Sequence, residues 1–211
     1  AGKHRGPESS DLVFELNNKD IVFGFHRLAI NGLDTISNQP FNIDDCILIC
    51  NGEIYNYKTL YSYMDSVPTT NSDCEVIIHM YKKYGIEQTL QMLDGVFAFI
   101  LLDFNTNQIF VARDTYGIRP LFFNVSEYYS NENGTLTIYA FASELKSIDV
   151  FDGDTCEIKQ FEPGCCSVFT LNPVENRQKI KYMKTFVFAR PDGFSNLTDD
   201  TPYEKVLENV F

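Results

Sequence analysis

Short runs of aromatic and β-branched residues, separated by clusters of turn-forming residues, occupy most of this chain. Such runs are typical of β-strands, because these side chains fit the pleated surface of a sheet. Two pairs of runs are joined by four residues each, Asn-Asn-Lys-Asp at 17–20 and Phe-Asn-Thr-Asn at 104–107, and so predict antiparallel hairpins. The predicted strands are 12–16, 21–25, 46–50, 96–103, 108–114, 121–125, 137–142, 166–171 and 179–186.

Helical patterns are concentrated in one region of the chain. Ser72 and Glu75 form a capping box, which predicts a helix that ends at Gly85. A second helix is predicted over 86–93 and a weaker one over roughly 57–64. Helices grouped among many antiparallel strands indicate an α+β fold rather than the alternating units of a parallel sheet.

The end of the chain carries a separate signal. Thr201, Pro202 and Glu204 occupy the N-cap, N1 and N3 positions of an amphipathic helix. A capped helix with nothing after it to pack against predicts the start of a second domain. We therefore expect the chain to be part of a longer protein.

Charge and apolar run length disfavour two classes of partner. The chain has 29 acidic against 17 basic residues, whereas binding to nucleic acid or to an anionic membrane depends on clustered Lys and Arg. The longest apolar run, 96–102, is much shorter than a membrane span. The six cysteines lack the spacing of metal ligands, so we expect no metal, buried reduced thiols and a cytoplasmic location.

Three places carry polar residues that a hydrophobic core does not require. Arg27 follows a strand and suits a carboxylate ligand, or else it is an edge arginine whose stem lies over the sheet. Asn51 and Gly52 are either a turn or a pair of donors for an oxyanion, one from an amide side chain and one from an unhindered backbone N–H. Asp73 at N1 is free to point outward, where it either binds an ammonium group or complements the helix dipole.

These three places together fit one type of ligand. A carboxylate at Arg27, a carbonyl oxygen at Asn51 and Gly52 and an ammonium group at Asp73 describe an α-amino acid with a side-chain amide. A fourth place, the loop Arg113–Leu121, is interpreted as a rigid turn tied by an Arg–Asp pair.

The same residues resemble those of a known family. Its motifs occur here in the family's order, and they are HRGPESS (4–10), RLAI (27–30), Gln39-Pro40, NGEIYN (51–56), SDCEVI (72–77), DGVFAF (94–99), RDTYGIRPL (113–121) and ASELK (142–146). They resemble the N-terminal class II glutamine amidotransferase domain of glutamine-dependent asparagine synthetases. The resemblance covers roughly residues 4–165, so the predicted domains are 1–165 and 166–211, the latter holding the last strands, a linker and the first helix of a synthetase domain.

The resemblance implies a fold, a reaction and a set of site residues. The fold is that of the N-terminal-nucleophile (Ntn) hydrolases, a four-layer α/β/β/α sandwich of antiparallel sheets. The reaction is hydrolysis of L-glutamine to glutamate and ammonia, for amidation of aspartate in the chain's own C-terminal synthetase domain, which uses ATP and Mg²⁺. Asn51 and Gly52 form the oxyanion hole, and the substrate is held by Arg27, Leu28, Ala29, Ile30, Asn31, Glu53 and Asp73.

The resemblance also raises the question of the nucleophile. In the family a cysteine at the processed N-terminus attacks glutamine, roughly 25 to 30 residues before the HRGP motif, and this chain begins three residues before His4. We therefore expect the 211 residues alone to be inactive. Two alternatives stay open: an inactive glutamine-binding or scaffolding domain, and the amidotransferase-like domain of a related synthetase such as a β-lactam-forming enzyme. A homodimer also stays open.

Overall fold

The computed structural model describes residues 2–15, 21–64, 66–130, 134–174 and 177–189. Its helices are α1 Tyr57–Ser62 and α2 Val76–Met92. Its strands are β1 Ser9–Glu15, β2 Ile21–Arg27, β3 Phe41–Ile43, β4 Cys46–Ile54, β5 Gly95–Asp103, β6 Gln108–Arg113, β7 Phe122–Ser130, β8 Gly134–Ala142, β9 Thr155–Gln160, β10 Cys165–Val174 and β11 Arg177–Val187.

The strands form three antiparallel sheets. The largest has six strands in the order β11-β10-β6-β5-β4-β3, the second is the hairpin β1-β2, and the third has the order β8-β7-β9. Consecutive strands joined by short connections pair with each other in β1-β2, β3-β4, β5-β6, β7-β8 and β10-β11. The predicted α+β class with antiparallel sheets is confirmed.

The six-stranded sheet is covered on both faces. Side chains such as Leu48 and Phe99 pack with Ile77 of α2 on one face. On the other face Phe169 of β10 meets Phe141 of β8, with ring centroids 5.7 Å apart. The described residues therefore form a helical layer, a large sheet and a second layer of smaller sheets.

Every strand predicted from the sequence is present, most of them longer than predicted, and β3 and β9 are additional. The predicted pair of helices is also present, because Gly85 has φ 77° and ψ 168° and interrupts the helical backbone within α2. A positive φ costs glycine little, since it has no Cβ. The loop 17–20 and the helix predicted after Thr201 lie outside the described residues.

The predicted boundary between residues 165 and 166 falls within β10. This strand pairs with β6 and with β11, so both of the last strands belong to the six-stranded sheet. The assignment of later residues to a second domain stays a prediction. Across the described ranges, no helix is long and apolar enough to cross a bilayer.

Candidate active site

An open stretch of strand edge lies at the centre of the site. β3 pairs with β4 only as far as Leu48, which is opposite Phe41. Beyond that point β4 continues to Ile54 with β5 on its other side. Alternate residues of an antiparallel strand direct their backbone N–H and C=O to the same side. The backbone groups of Leu48 face β3. Gly52 lies four residues further along β4, so its backbone groups point to the same side, where β3 no longer covers the edge.

The residue opposite Gly52 supports this orientation. Phe97 donates its N–H to Asp114 Oδ2 at 3.2 Å, and its carbonyl accepts from the N–H of Asp114 at 2.8 Å. Because both backbone groups of Phe97 point away from β4, they do not bind Gly52. The Gly52 carbonyl is contacted by Cys74 Sγ at 3.6 Å. No described residue accepts a hydrogen bond from the Gly52 N–H, which is available to a ligand.

Close packing against β5 requires a glycine at position 52, and the lack of a side chain also leaves the Gly52 N–H accessible. A Cβ there would overlap the carbonyl oxygen of Val96 and the Cα of Phe97, both on β5. The alternative interpretation of Asn51 and Gly52 as a turn is wrong, because both lie inside β4 and pair with Ala98 and Phe97.

The side chains on either side of Gly52 project onto the face between the sheets, because successive residues of a strand alternate between faces. Asn51 Nδ2 donates to Ser143 Oγ, 3.2 Å away, just after the end of β8. Glu53 Oε1 lies 3.7 Å from Arg119 Nη2, and both side chains are half-buried. The site therefore holds an amide donor next to a pair of opposite charges.

Asp73 closes the far end of the open edge. The Oδ2 atom of Asp73 accepts a hydrogen bond from the N–H of Ile54 at 2.7 Å, and Asp73 is only 4% exposed. The expectation that Asp73 points outward is thus wrong: it begins a 3-10 turn, Asp73–Glu75, that packs against β4. Ser72 caps this turn by accepting from the N–H of Cys74 at 3.3 Å. Among the described residues, none donates to Asp73 Oδ1.

The predicted capping box is only half present. Glu75 does not bond back to Ser72, because its carboxylate is fully buried and accepts hydrogen bonds from Thr69, Thr70 and His79 instead. Burial alone would raise the pKa of Glu75, but the bonds from His79, Thr70 and Thr69 outweigh it and lower this pKa to about 2. The carboxylate therefore holds the loop that leads to Asp73.

Arg27 is buried at the end of β2, and its guanidinium is enclosed by the loop that follows. Nη1 donates to Asp34 O at 2.8 Å and to Asn38 Oδ1 at 2.5 Å, and Nη2 donates to the carbonyls of Asn31 and Gly32. A carboxylate ligand would approach Nε or replace one of these oxygens. Its assigned role stays a prediction.

The segment after Arg27 forms the rim of the site. Ala29 N–H donates to Glu8 Oε2 at 2.7 Å, which ties this segment to the HRGPESS motif. The side chains of Leu28 and Ile30 are 59% and 58% exposed.

All the predicted site residues line one cavity of about 1040 Å³. They are Arg27, Leu28, Ala29, Ile30, Asn31, Asn51, Gly52, Glu53 and Asp73. The loop of Arg27 reaches the loop of Asp73 through a hydrogen bond from Asn71 N–H to Ser37 Oγ at 3.1 Å. The cavity thus brings cationic and anionic side chains together with amide donors, which matches the charges of a zwitterionic amino acid.

Three further residues of the cavity were not assigned a role from the sequence: Gln39, Arg119 and Ser143. Each lies in or beside a motif, but its residue type alone indicates no chemistry. The loop that carries Arg119 is held by hydrogen bonds from side chains to its backbone rather than by the predicted Arg–Asp pair. Arg113 donates to the carbonyls of Gly117 and Arg119 at 2.5 and 2.8 Å, while Asp114 Oδ1 accepts from Ile118 N–H at 3.0 Å.

The cysteines are mostly buried, as predicted, and Cys156 is the exposed one. Cys50 and Cys74 line the cavity. A hydrogen bond with Cys50, together with burial, raises the pKa of the Cys74 thiol well above its ordinary value. Within the described ranges there is no group of three or more His, Cys, Asp or Glu residues that could hold a metal ion.

The described residues thus form a sandwich of antiparallel sheets whose cavity holds amide donors beside side chains of both charges. The chain belongs to the glutamine amidotransferase domain family, whose profile matches residues 1–183. This confirms the resemblance that the motifs indicate.

Known relatives agree with this assignment. The chain is 39% identical to the glutamine-hydrolysing asparagine synthetase of Mesocricetus auratus over 186 residues, which is 85% of this chain and 32% of that protein. It is 39% identical to the enzyme of Bos taurus over 217 residues, covering 98% of this chain and 37% of the relative. The chain thus spans about a third of the length of these relatives.

Solved structures share the fold. The glutamine phosphoribosylpyrophosphate amidotransferase of B. subtilis, complexed with ADP and GMP, matches with a TM-score of 0.54 at 24% identity, over 76% of this chain and 34% of that one. A structure described as the allosteric regulatory enzyme of purine biosynthesis matches with a TM-score of 0.55 at 25% identity, with the same coverage.

Proposed function

We propose that this chain is the glutaminase part of a glutamine-dependent asparagine synthetase and that its site binds L-glutamine for hydrolysis to glutamate and ammonia. The observation that carries the proposal is the free N–H of Gly52 at the open edge of β4, between Asn51 and Asp73 in one cavity. Two donors aimed at a developing oxyanion are what amide hydrolysis requires. The name of the relatives supports glutamine as the substrate.

Each group has a part in the proposed reaction. Gly52 N–H and the Asn51 amide stabilise the negative charge that develops on the carboxamide oxygen of glutamine. Asp73 and Glu53 bind the α-ammonium group, and Arg27 binds the α-carboxylate. The backbone from Leu28 to Asn31 lines the pocket around the substrate.

The nucleophile is proposed to be a cysteine at the processed N-terminus of a segment that precedes Ala1. Attack of its thiolate on the carboxamide carbon forms a thioester and releases ammonia, with its own α-amino group carrying the proton. The thiols described here are poorly suited to this task, because Cys50 and Cys74 are buried and Cys156 does not line the cavity.

The ammonia is proposed to amidate aspartate in a C-terminal synthetase domain that uses ATP and Mg²⁺. The relatives are glutamine-hydrolysing asparagine synthetases about three times as long as this chain, which supports this step. A cytoplasmic location is part of the proposal, because six free thiols suit a reducing compartment. Homodimer formation stays a hypothesis.

A glutamine analogue with an electrophilic diazoketone side chain tests the reaction. Incubated with the full-length protein, it should add one label per chain to an N-terminal cysteine and abolish ammonia release from glutamine. Free L-glutamine should protect against labelling, and D-glutamine serves as the control. If glutamine binds calorimetrically but neither labelling nor ammonia release occurs, the protein is a glutamine-binding domain and the proposed activity is refuted.

A further inference from the structure

One side chain of the site, that of Gln39, makes the hydrogen bonds to β4 that the backbone of a neighbouring strand would otherwise make. Gln39 is buried and makes two hydrogen bonds to the backbone of one residue, Cys50. Its Nε2 donates to the Cys50 carbonyl at 3.0 Å, and its Oε1 accepts from the Cys50 N–H at 2.6 Å. A carboxamide can make this pair of bonds because it carries a donor and an acceptor side by side, as a peptide group does.

The position of this contact follows from the register of β3 and β4. Phe41 is opposite Leu48, so the next hydrogen-bonded pair along the ladder would join residue 39 to Cys50. The backbone of β3 does not reach that far, because the strand begins at Phe41. The Gln39 side chain supplies the missing pair, which extends the sheet by one rung.

The extra rung lies directly before the proposed oxyanion donors. Cys50 precedes Asn51, and the backbone groups of Gly52 face the same edge as those of Cys50. On the other side of Gly52, the N–H of Ile54 is bonded to Asp73 Oδ2 at 2.7 Å. The open edge is therefore held at both ends and free only at Gly52.

From this arrangement we infer that Gln39 is a positioning residue for amide hydrolysis: it fixes the strand edge so that the Gly52 N–H and the Asn51 amide meet the oxyanion of the substrate. The inference rests on the proposed function. Because the oxygen and the nitrogen of the Gln39 carboxamide are both bonded to the backbone of Cys50, this group acts on the transition state through the geometry of these donors. Small errors in such geometry reduce the turnover rate more than they reduce substrate binding.

Glutaminase kinetics of the full-length protein test this role. Gln39→Ala should lower kcat by about 10-fold or more, as expected for misplaced oxyanion donors, and change KM by less than about 3-fold, because Arg27 and Asp73 are untouched. Gln91→Ala is the control, since Gln91 is an exposed glutamine on α2. Its kcat and KM should equal those of the wild type.

Gln39→Glu separates positioning from a general loss of packing. The protonated acid has the same donor and acceptor pair as the amide, whereas the carboxylate cannot donate to the Cys50 carbonyl. The kcat of Gln39→Glu should therefore recover as the pH is lowered through the pKa of the new carboxyl group, in a range where the wild type shows no such recovery. This test needs no alanine variant and remains decisive if Gln39→Ala does not fold.

Amide hydrogen exchange provides a readout that does not depend on turnover. Faster exchange at the Cys50 N–H of Gln39→Ala, with unchanged exchange in α2, is the expected result. Unchanged kcat in an active protein, or unchanged exchange at Cys50, would overturn the inference while leaving the proposed function intact. Absence of glutaminase activity in the wild type would refute the proposed function first, and the catalytic role of Gln39 with it.

Discussion

Replacing Glu75 by Gln should destabilise the fold although the side chain touches no substrate. The carboxylate is fully buried, and its Oε1 accepts from Thr69 N at 2.7 Å, Thr69 Oγ1 at 2.9 Å and His79 Nε2 at 2.9 Å. Its Oε2 accepts from Thr70 N at 2.6 Å. A glutamine has only one oxygen, so its amide group would face the N–H of Thr70 and leave that donor without a partner.

The size of the effect can be worked out in two ways. The pKa of Glu75 falls from 4.5 to about 2 in the folded protein, because the hydrogen bonds outweigh the cost of burial. A shift of this size corresponds to roughly 3 kcal/mol of preferential stabilisation of the charged form. An unsatisfied buried donor costs about 1–3 kcal/mol. Allowing for water reaching the threonine loop, we expect Glu75→Gln to lower the free energy of unfolding by about 2–3 kcal/mol.

The pH dependence has a definite sign. Because the folded-state pKa of Glu75 lies below its ordinary value of 4.5, its contribution is fully present above that value and is lost as the pH falls toward about 2. Denaturant unfolding followed by circular dichroism should therefore show a large difference between the wild type and Glu75→Gln at pH 7. The difference should shrink as the pH falls below 4.5.

Glu87 is the matched control on the same helix. It is exposed and pairs with Lys184 at 3.5 Å, so Glu87→Gln should change the free energy of unfolding by at most about 0.5 kcal/mol. If Glu75→Gln were no more destabilising than Glu87→Gln, or if its deficit grew as the pH fell, the assignment of Glu75 as the buried anchor of the loop before Asp73 would be refuted.

Further predictions concern the site and the thiols. Asn51→Ala in the full-length protein should lower kcat about 10²-fold or more with a smaller change in KM, as measured by ammonia release. Arg27→Ala should mainly raise KM for glutamine, and equal effects of both variants on kcat and KM would contradict the roles assigned. Brief alkylation at pH 7 followed by peptide mass analysis should label Cys156 well before Cys46, because burial raises the pKa of Cys46 to about 11.

Much of the fold could be predicted because its strands are marked by side-chain type and its hairpins by turn residues. β3 was missed because it has only three residues, and because its turn at Asp44 and Asp45 uses positive φ at two residues other than glycine. β9 was missed because its sequence, TCEIKQ, is largely polar and exposed on one side of a small sheet. Both strands depend on tertiary pairing rather than on local sequence.

In the candidate site, too, some features could be predicted from local sequence and others depend on tertiary contacts. Asn51, Gly52 and Glu53 could be found because two possible hydrogen-bond donors and an acidic residue directly follow the apolar run 46–50. The burial of Asp73 could not be predicted, because it depends on the N–H of Ile54, which lies in another element. The contacts of Gln39 and Ser143 could not be predicted for a related reason: the groups they bind become neighbours only when distant segments fold together.

The geometry of β4 explains how three consecutive residues can supply groups in two directions. A strand directs the backbone of Gly52 to its open edge and the side chains of Asn51 and Glu53 to the face between the sheets. A slip of one residue between β4 and β5 would turn the Gly52 N–H into the ladder and the Asn51 amide toward the helices. Register is therefore a condition for the site, and the bonds from Gln39 to Cys50 and from Ile54 to Asp73 hold the strand edge on both sides of Gly52.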